Sequence, residues 1–341
     1  MIEILRTGSV KWNEYLNKIS LEQQDIYYTD KYHKLYEENG DGTAYLFVFS
    51  DGEKLALYPF MMNEIEGYEL SEKYYDIETV YGYGGPILNC NDELFVIRFE
   101  EEFLKFCNKN NIVTEFLRFH PLMKNESIFN KQIKILHNRV TVWLNLSKSE
   151  EEIWKEDITS KNRNMIRKAI KNGLTVEAST DFYAFKEIYK GTMGKVNAEN
   201  YYYFNDKYYD LMKENSNYLL LNVKKDNKVI AGAIFMIYKE YFHYHLSASL
   251  EEYLKYSPNN LLLWEAIKYG KSMGCKKMHF GGGLTDTTED NLFKFKSSFS
   301  KKHSDYYIGK RVHNEKIYNY LINEWENRNN KQAKLLLQYR Y

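Results

Sequence analysis

The sequence predicts an α/β (α+β) fold built from two tandem domains, each a mixed, mostly antiparallel sheet flanked by helices. Three observations carry this expectation. A length of 341 residues suits two domains of ordinary size. A hydrophobic share of 44% with 28% charged residues suits soluble domains with true cores. Each half also follows the same plan: strand-type runs around a short turn, then a loop, a helix and one further strand.

The first half opens with helical patterns around Trp12–Ile19 and Lys31–Glu38. Thr43–Phe49 is a β-rich run, and with Lys54–Met61 it flanks Asp51-Gly52, a hairpin signal. A glycine-rich loop, Tyr81–Pro86, precedes a helix over Asp92–Asn108, with Leu94, Ile97, Phe103, Leu104 and Phe106 as its apolar face. A strand follows at Ile112–Phe119. In the second half, Tyr218–Val223 and Lys228–Ile237 flank Asp226-Asn227, and Tyr241–Ala248 is a third strand. The loop Tyr256–Asn260 then opens a helix over Leu261–Met273, which Gly274 can end, and a strand over Lys276–Phe280 runs into three glycines. The seam is expected just after the strand Val140–Leu146, giving domains 1–146 and 147–341 with a cleft between them.

Composition excludes several classes. No run approaches the ~20 apolar residues of a membrane span, and the start of the chain lacks an apolar signal-peptide core, so a cytoplasmic location is expected. Cys90, Cys107 and Cys275 lack metal-binding or scaffold spacing, so neither a disulfide framework nor a structural zinc site is expected. The 32 tyrosines and 4 prolines, with abundant Lys, Asn and Ile, read as the bias of an AT-rich genome, so bulk aromatic content is no stacking platform. Zero net charge conceals an asymmetry. Residues 1–150 hold 16 Lys/Arg against 24 Asp/Glu (net −8), and residues 151–341 hold 31 against 23 (net +8). Either an anionic ligand meets the second half or the oppositely charged halves attract each other.

Four motifs can carry chemistry. The first runs from Thr159 to Gly173, a helix capped by Thr159 or Ser160, with Ile166, Ala169 and Ile170 as its buried stripe. Arg163, Arg167 and Lys171 recur every four residues on another face, and five cations stand there without an acid. Like charges at that spacing repel mildly unless an anion offsets them, so a phosphate or carboxylate is the expected partner. A solvated face is the plainer reading. The second is the loop Ser257-Pro-Asn-Asn260, where free N–H groups and the dipole of a helix start can hold an anion or a developing oxyanion. Ordinary capping by Ser257 or Asn259 is the alternative.

The third motif joins Gly281, Gly282 and Gly283 to Lys294 and Lys296. The glycines permit close backbone approach. The two lysines share a face if extended and diverge if helical, and either can neutralise a phosphate or polarise a carbonyl. A pair of surface lysines is the alternative. The fourth is His243-Tyr244-His245, whose imidazoles share one strand face and can serve as a general base. A histidine simply hydrogen-bonded in a core strand is commoner, and no third ligand points to a metal. Walker, nucleophile-elbow, H-E-x-x-H and dinucleotide fingerprints are all missing.

Taken in order, several segments resemble the FemABX family of peptidoglycan aminoacyltransferases and the wider acyltransferases with tandem GNAT-like domains. They are the Lys161–Gly173 helix, Tyr244–Ser249, Asn260–Ile267, Phe280–Gly283 and Phe293–Ser300, with Asp76–Pro86 in the first half. The likeness spans most of the chain and is strongest over 159–311. It departs from the family in two places. No heptad-patterned helical hairpin is present, and Ser257–Asn260 and Gly82–Gly85 stand where a GNAT enzyme has its Q/R-x-x-G-x-G/A pyrophosphate loop.

The resemblance implies two GNAT-like domains and transfer of an acyl or aminoacyl group to an amine of a cell-envelope precursor, peptidoglycan or polysaccharide. No tightly bound cofactor is expected. Acyl-CoA and aminoacyl-tRNA both stay open as donor, so tRNA is a possible partner beside the phosphorylated precursor. On this reading Lys296 stabilises the oxyanion, while His245 or Tyr244 is the candidate base. Arg163, Arg167, Lys171, Lys294, Ser257, Asn259, Asn260, Gly281 and Gly282 are expected to bind substrate. One alternative is an acyl-CoA-dependent N-acetyltransferase acting on an amino sugar. Another is a non-catalytic GNAT-like scaffold or RNA-binding module.

Overall fold

The computed structural model describes residues 1–129, 133–195 and 204–341, and shows two compact units. The chain forms β1 (Ile2–Arg6), α1 (Val10–Leu16), α2 (Asp30–Asn39), β2 (Thr43–Asp51), β3 (Lys54–Glu64), β4 (Tyr75–Glu78), β5 (Ile87–Leu88), α3 (Glu93–Lys109) and β6 (Ile112–Arg118). It leaves the first unit within β7 (Lys134–Asn145), at 138/139. The second unit adds a short turn α4 (Glu150–Glu152), a π-helical turn (Ile153–Asp157), α5 (Ser160–Lys171), β8 (Thr175–Ser179), α6 (Phe182–Lys195) and α7 (Asp206–Lys213). There follow β9 (Tyr218–Lys225), β10 (Lys228–Tyr238), β11 (Tyr241–Ser249), α8 (Pro258–Ser272), β12 (Lys277–Gly281) and α9 (Asn291–Ser297). The chain returns within β13 (Lys302–Val312), at 305/306, and ends with α10 (Glu315–Asn329). The sequence places one seam, at 146/147. The structure groups 306–341 with the first unit, because α10 and the C-terminal segment supply Leu321, Trp325, Leu337 and Tyr339 to a cluster built on Val113 of β6.

The duplicated plan is present. In the first unit β2, β3 and β4 pair antiparallel, α3 follows, and β6 pairs parallel with β4. In the second, β9, β10 and β11 pair antiparallel, α8 follows, and β12 pairs parallel with β11. Both hairpins turn as their residues dictate. Gly52 sits at φ +59° between Asp51 and its partner Lys54. Asp226 and Asn227 both take positive φ, the type I′ geometry that matches strand twist. Among the described residues no helix is long and apolar enough to cross a membrane.

Helix α3 buries Phe95, Phe99, Phe103 and Cys107 against Phe47, Phe49, Tyr58 and Phe60. Of the expected face, Phe103 is buried and Phe106 packs against this cluster, whereas Leu94 is 72% exposed and Ile97 36%. Four aromatic or thiol side chains spaced by four residues make a continuous ridge, and that ridge outcompetes scattered aliphatics for the sheet.

The second unit's core lies between its sheet and α5 and α8, around Phe235, Phe242, Leu262, Leu263 and Ile267. On α8, a Cβ added to Gly270 would lie 2.8 Å from the Phe242 ring. Gly270→Ala therefore lowers stability by about 1–3 kcal/mol through overpacking, read as a lower urea midpoint; an unchanged midpoint would mean that the helix shifts freely on the sheet.

Candidate functional site

Strands β11 and β12 run parallel and pair from Tyr241–Lys277 to His243–His279. Immediately beyond, β11 carries a bulge. Ile234 pairs with Leu246 and Phe235 with Tyr244, so His245 is an extra residue without a counterpart on β10. Alternation along the strand puts neighbouring side chains in different surroundings. Tyr244 stays with Phe235 and Phe242 on the α8 face, whereas Nε2 of His245 meets the hydroxyl of Tyr208, on α7, at 2.8 Å.

Lys296 lies on the Tyr244 side. Its segment is helical, so Lys294 and Lys296 diverge as the helical alternative requires. Lys294 points outward to Glu289 at 2.6 Å, while Lys296 turns inward and is only 8% exposed. Its Nζ donates to the Gly282 carbonyl at 2.6 Å and stands 5.8 Å from the centre of the Tyr244 ring. Burial pushes this ammonium down to about 7; nearby Asp290 opposes the shift and Arg139 reinforces it. Burial pushes the Tyr244 phenol up to about 12, so at neutral pH it is a hydrogen-bond donor rather than a base. The His245 imidazole is held down at about 3, by burial first and then by His243. At that value, and facing α7, it is poorly suited to take a proton beside Lys296. The expected trio therefore divides, with Lys296 and Tyr244 together and His245 apart.

The Gly281–Gly283 turn is tight for a reason. Gly281 adopts φ +78°, a conformation that favours glycine. A Cβ on Gly282 would meet Arg139 Cδ at 2.8 Å, and one on Gly283 would meet Asp290 Oδ1 at 2.5 Å.

The start of α8 is uncapped by side chains. Ser257 occupies the cap position at φ +61°, but its hydroxyl turns to Met165 Sδ at 3.4 Å. Asn259 Oδ1 accepts from Ser249 Oγ at 2.7 Å, and Asn260 Nδ2 donates to Asn162 Oδ1 at 2.7 Å. The ordinary capping alternative is thus not what these residues do. The first turn of α8 keeps its positive dipole end, with Pro258 at its first position and no acidic residue.

The cation face of α5 is less than the sequence implied. Arg163 donates to the carbonyls of Trp154, Lys155 and Ile158, closing the end of the preceding π-helical turn. The guanidinium of Arg167 lies 5.4 Å over the Trp154 ring and bonds Asn164 Oδ1 at 3.1 Å. Lys171 is exposed. The helix buries Asn162, Ile166 and Ala169, while Ile170 is 55% exposed, contrary to the expected stripe. Asn162 was missed by sequence reasoning. It ties α5 to Asn260 of α8 and to the Ser298 carbonyl, at 3.2 Å, just past α9. Its place at i−4 from Ile166, on the apolar face of the helix, was the available signal.

Residues 160–296, which hold Tyr244, the start of α8, the glycine turn and Lys296, match the family model described as "Acetyltransferase (GNAT) domain". In class the protein is an acyltransferase enzyme carrying a GNAT domain. Solved structures extend the likeness beyond that domain. FemX shares 16% identity at a TM-score of 0.70, over 93% of this chain and 99% of its own. L-PGS from Bacillus licheniformis shares 11% identity at a TM-score of 0.59, over 90% and 92%. The C-terminal domain of a putative lysylphosphatidylglycerol synthetase from Agrobacterium fabrum shares 13% at a TM-score of 0.52, over 89% and 93%. At these identities the likeness is one of fold. No curated protein matches the chain.

Proposed function

We propose that this protein is an N-acyltransferase of FemABX type, moving an acyl or aminoacyl group onto an amine of a cell-envelope precursor. One observation carries the reading: Lys296, buried and depressed to about 7, stands beside Tyr244 at the glycine turn of a GNAT domain. The FemX-like fold supports it, as does the likeness to a domain named as part of a putative lysylphosphatidylglycerol synthetase.

The acceptor nitrogen attacks the donor's carbonyl carbon. A C–N bond forms, the carbon's bond to the leaving oxygen or sulfur breaks, and the proton shed by the amine ends on that leaving group. The protein contributes position and electrostatics. Lys296 spends one N–H on the Gly282 carbonyl, and its ammonium has two more to offer an oxyanion. Tyr244, neutral at pH 7, can add a further donor. Holding both partners in one site supplies much of the rate through proximity. His245, on the α7 face, takes no part in this scheme.

The uncapped start of α8 favours a second reading of the donor, since such an end suits a pyrophosphate. Acyl-CoA would then acylate an amino sugar. Thermal shift separates the two, because a ligand that binds only the native state raises the melting temperature. Acetyl-CoA at about 100 times its Kd stabilises by about 2.7 kcal/mol if the second reading holds. A shift with a muropeptide nucleotide and none with acetyl-CoA supports the first. A shift with neither contradicts both.

A further inference from the structure

The turn that receives Lys296 is gripped from two sides by charges of opposite sign. From β7, Arg139 Nη1 donates to the Gly283 carbonyl at 2.8 Å and reaches the Leu284 carbonyl at 3.4 Å. Its side chain fills the space beside Gly282 that a Cβ would need. From the cap of α9, Asp290 Oδ2 accepts from the N–H of Leu284 at 3.1 Å, from that of Thr285 at 3.2 Å and from the Thr285 hydroxyl at 3.3 Å. Its Oδ1 accepts from Phe293 N at 2.9 Å and packs against Gly283. One carboxylate thus anchors both the glycine turn and the first turn of the helix that carries Lys296.

We propose that Arg139 and Asp290 are positioning residues for Lys296: they clamp the Gly281–Thr285 turn between them, set the Gly282 carbonyl on the amine, and balance the charge around it. As a role in turnover this rests on the acyl-transfer reading above. As a statement about the lysine it does not.

The geometry explains why both are needed. A buried ammonium with a single carbonyl partner loses its proton readily. Asp290 favours the charged form and Arg139 disfavours it. Other groups face the same region. From β11 comes Tyr244, neutral at pH 7. From β13 comes His303, against the Phe293 ring at 5.3 Å and the Ser297 hydroxyl at 3.3 Å. Lys294 on α9 is turned outward and paired with Glu289. Of these, Arg139 and Asp290 are the full charges that bear on Lys296 at neutral pH.

The test reads the lysine itself. The full chain is labelled with [13Cε]lysine, the Lys296 signal is assigned by its loss in Lys296→Met, and its titration is followed by NMR. Arg139→Met moves the midpoint up and Asp290→Asn moves it down, while Arg139→Lys, which keeps the charge, leaves it in place. In kinetics, Arg139→Met lowers kcat by about tenfold or more with little change in KM, as a misplaced catalytic group does. Asp290→Ser, which keeps a helix cap, serves if Asp290→Asn folds poorly. Midpoints that do not move, or that move together in one direction, overturn the proposal. Opposite shifts with unchanged kcat leave the clamp standing and instead remove Lys296 from the reaction.

Discussion

Lys296→Met lowers turnover by about 10²–10³-fold, the usual loss when one preorganised oxyanion donor is removed, and leaves the fold at least as stable. The two halves of this expectation have separate causes. The ammonium is the one buried cation beside Tyr244 among the described residues, so no neighbour stands ready to replace it. Stability behaves differently because burial already works against that charge. The pKa falls from the usual 10.5 to about 7, so between those values the unfolded chain holds the proton more firmly than the folded one. Lys296 therefore weakens the fold fully below about pH 7, and that penalty fades as pH rises toward 10.5. Methionine removes it, and any gain in melting temperature is greatest at or below neutral pH. Gly282 itself is only partly buried, so its turn lies within reach of water once the amine is gone. Full activity in the variant would end the lysine's role, and a collapsed fold would mean that the residue is structural.

The second large effect lies in the first unit. Arg311, on β13, is 4% exposed and sits between two buried acids, with Glu100 at 2.7 Å and Glu115 at 3.6 Å. Glu115 also meets His313 Nε2 at 3.1 Å and accepts from the Tyr58 hydroxyl at 2.7 Å. Burial works against the Glu115 charge, but Arg311 and then His313 outweigh it and hold its pKa below the usual value. Arg311→Leu takes from Glu100 and Glu115 the buried cation they share and destabilises by about 3–5 kcal/mol. The urea midpoint at pH 7 drops accordingly. The deficit narrows as pH falls, because buried acids that have lost this cation bind protons more readily folded than unfolded. A midpoint that does not change would mean that the network contributes nothing net, the outcome known when buried ion pairs are exchanged for well-packed apolar groups.

Much of the architecture was legible because the signals were local. The Asp226-Asn227 turn, the Thr159 cap and the end of α8 at Gly274 depend on single residues with strong backbone preferences. What failed depended on partners far away in sequence. Ile170 looked like the third residue of an apolar stripe, but the helix is set by Asn162, whose hydrogen bonds reach Asn260 and Ser298. Leu94 and Ile97 lost their place to a ridge of phenylalanines. β8, β13, α6, α7 and α10 carried no pattern strong enough to be recognised beforehand.

The site divides the same way. Lys296 stood out because a glycine turn and a Phe-Lys-Phe-Lys run lay close together in sequence. The arginines of α5 were legible as cations but not as caps and stacking partners, since Trp154 and its carbonyls belong to another element. Arg139 gave no signal at all, because its distance from Gly283 closes only in the folded sheet. The positive charge of the second half is therefore not gathered by Arg163, Arg167 and Lys294, each of which is engaged elsewhere. What the fold does gather is one buried amine with a carbonyl, a phenol and two flanking charges.

Mass spectrometry of the acceptor tests the central claim most directly. The purified chain is incubated with acetyl-CoA or with a charged-tRNA mixture, together with a muropeptide nucleotide or an amino sugar. The acceptor amine should gain the mass of the transferred group with the wild-type protein and fail to gain it at comparable rate with Lys296→Met. Product formed equally fast by both proteins, or no product from any donor–acceptor pair, would contradict the account.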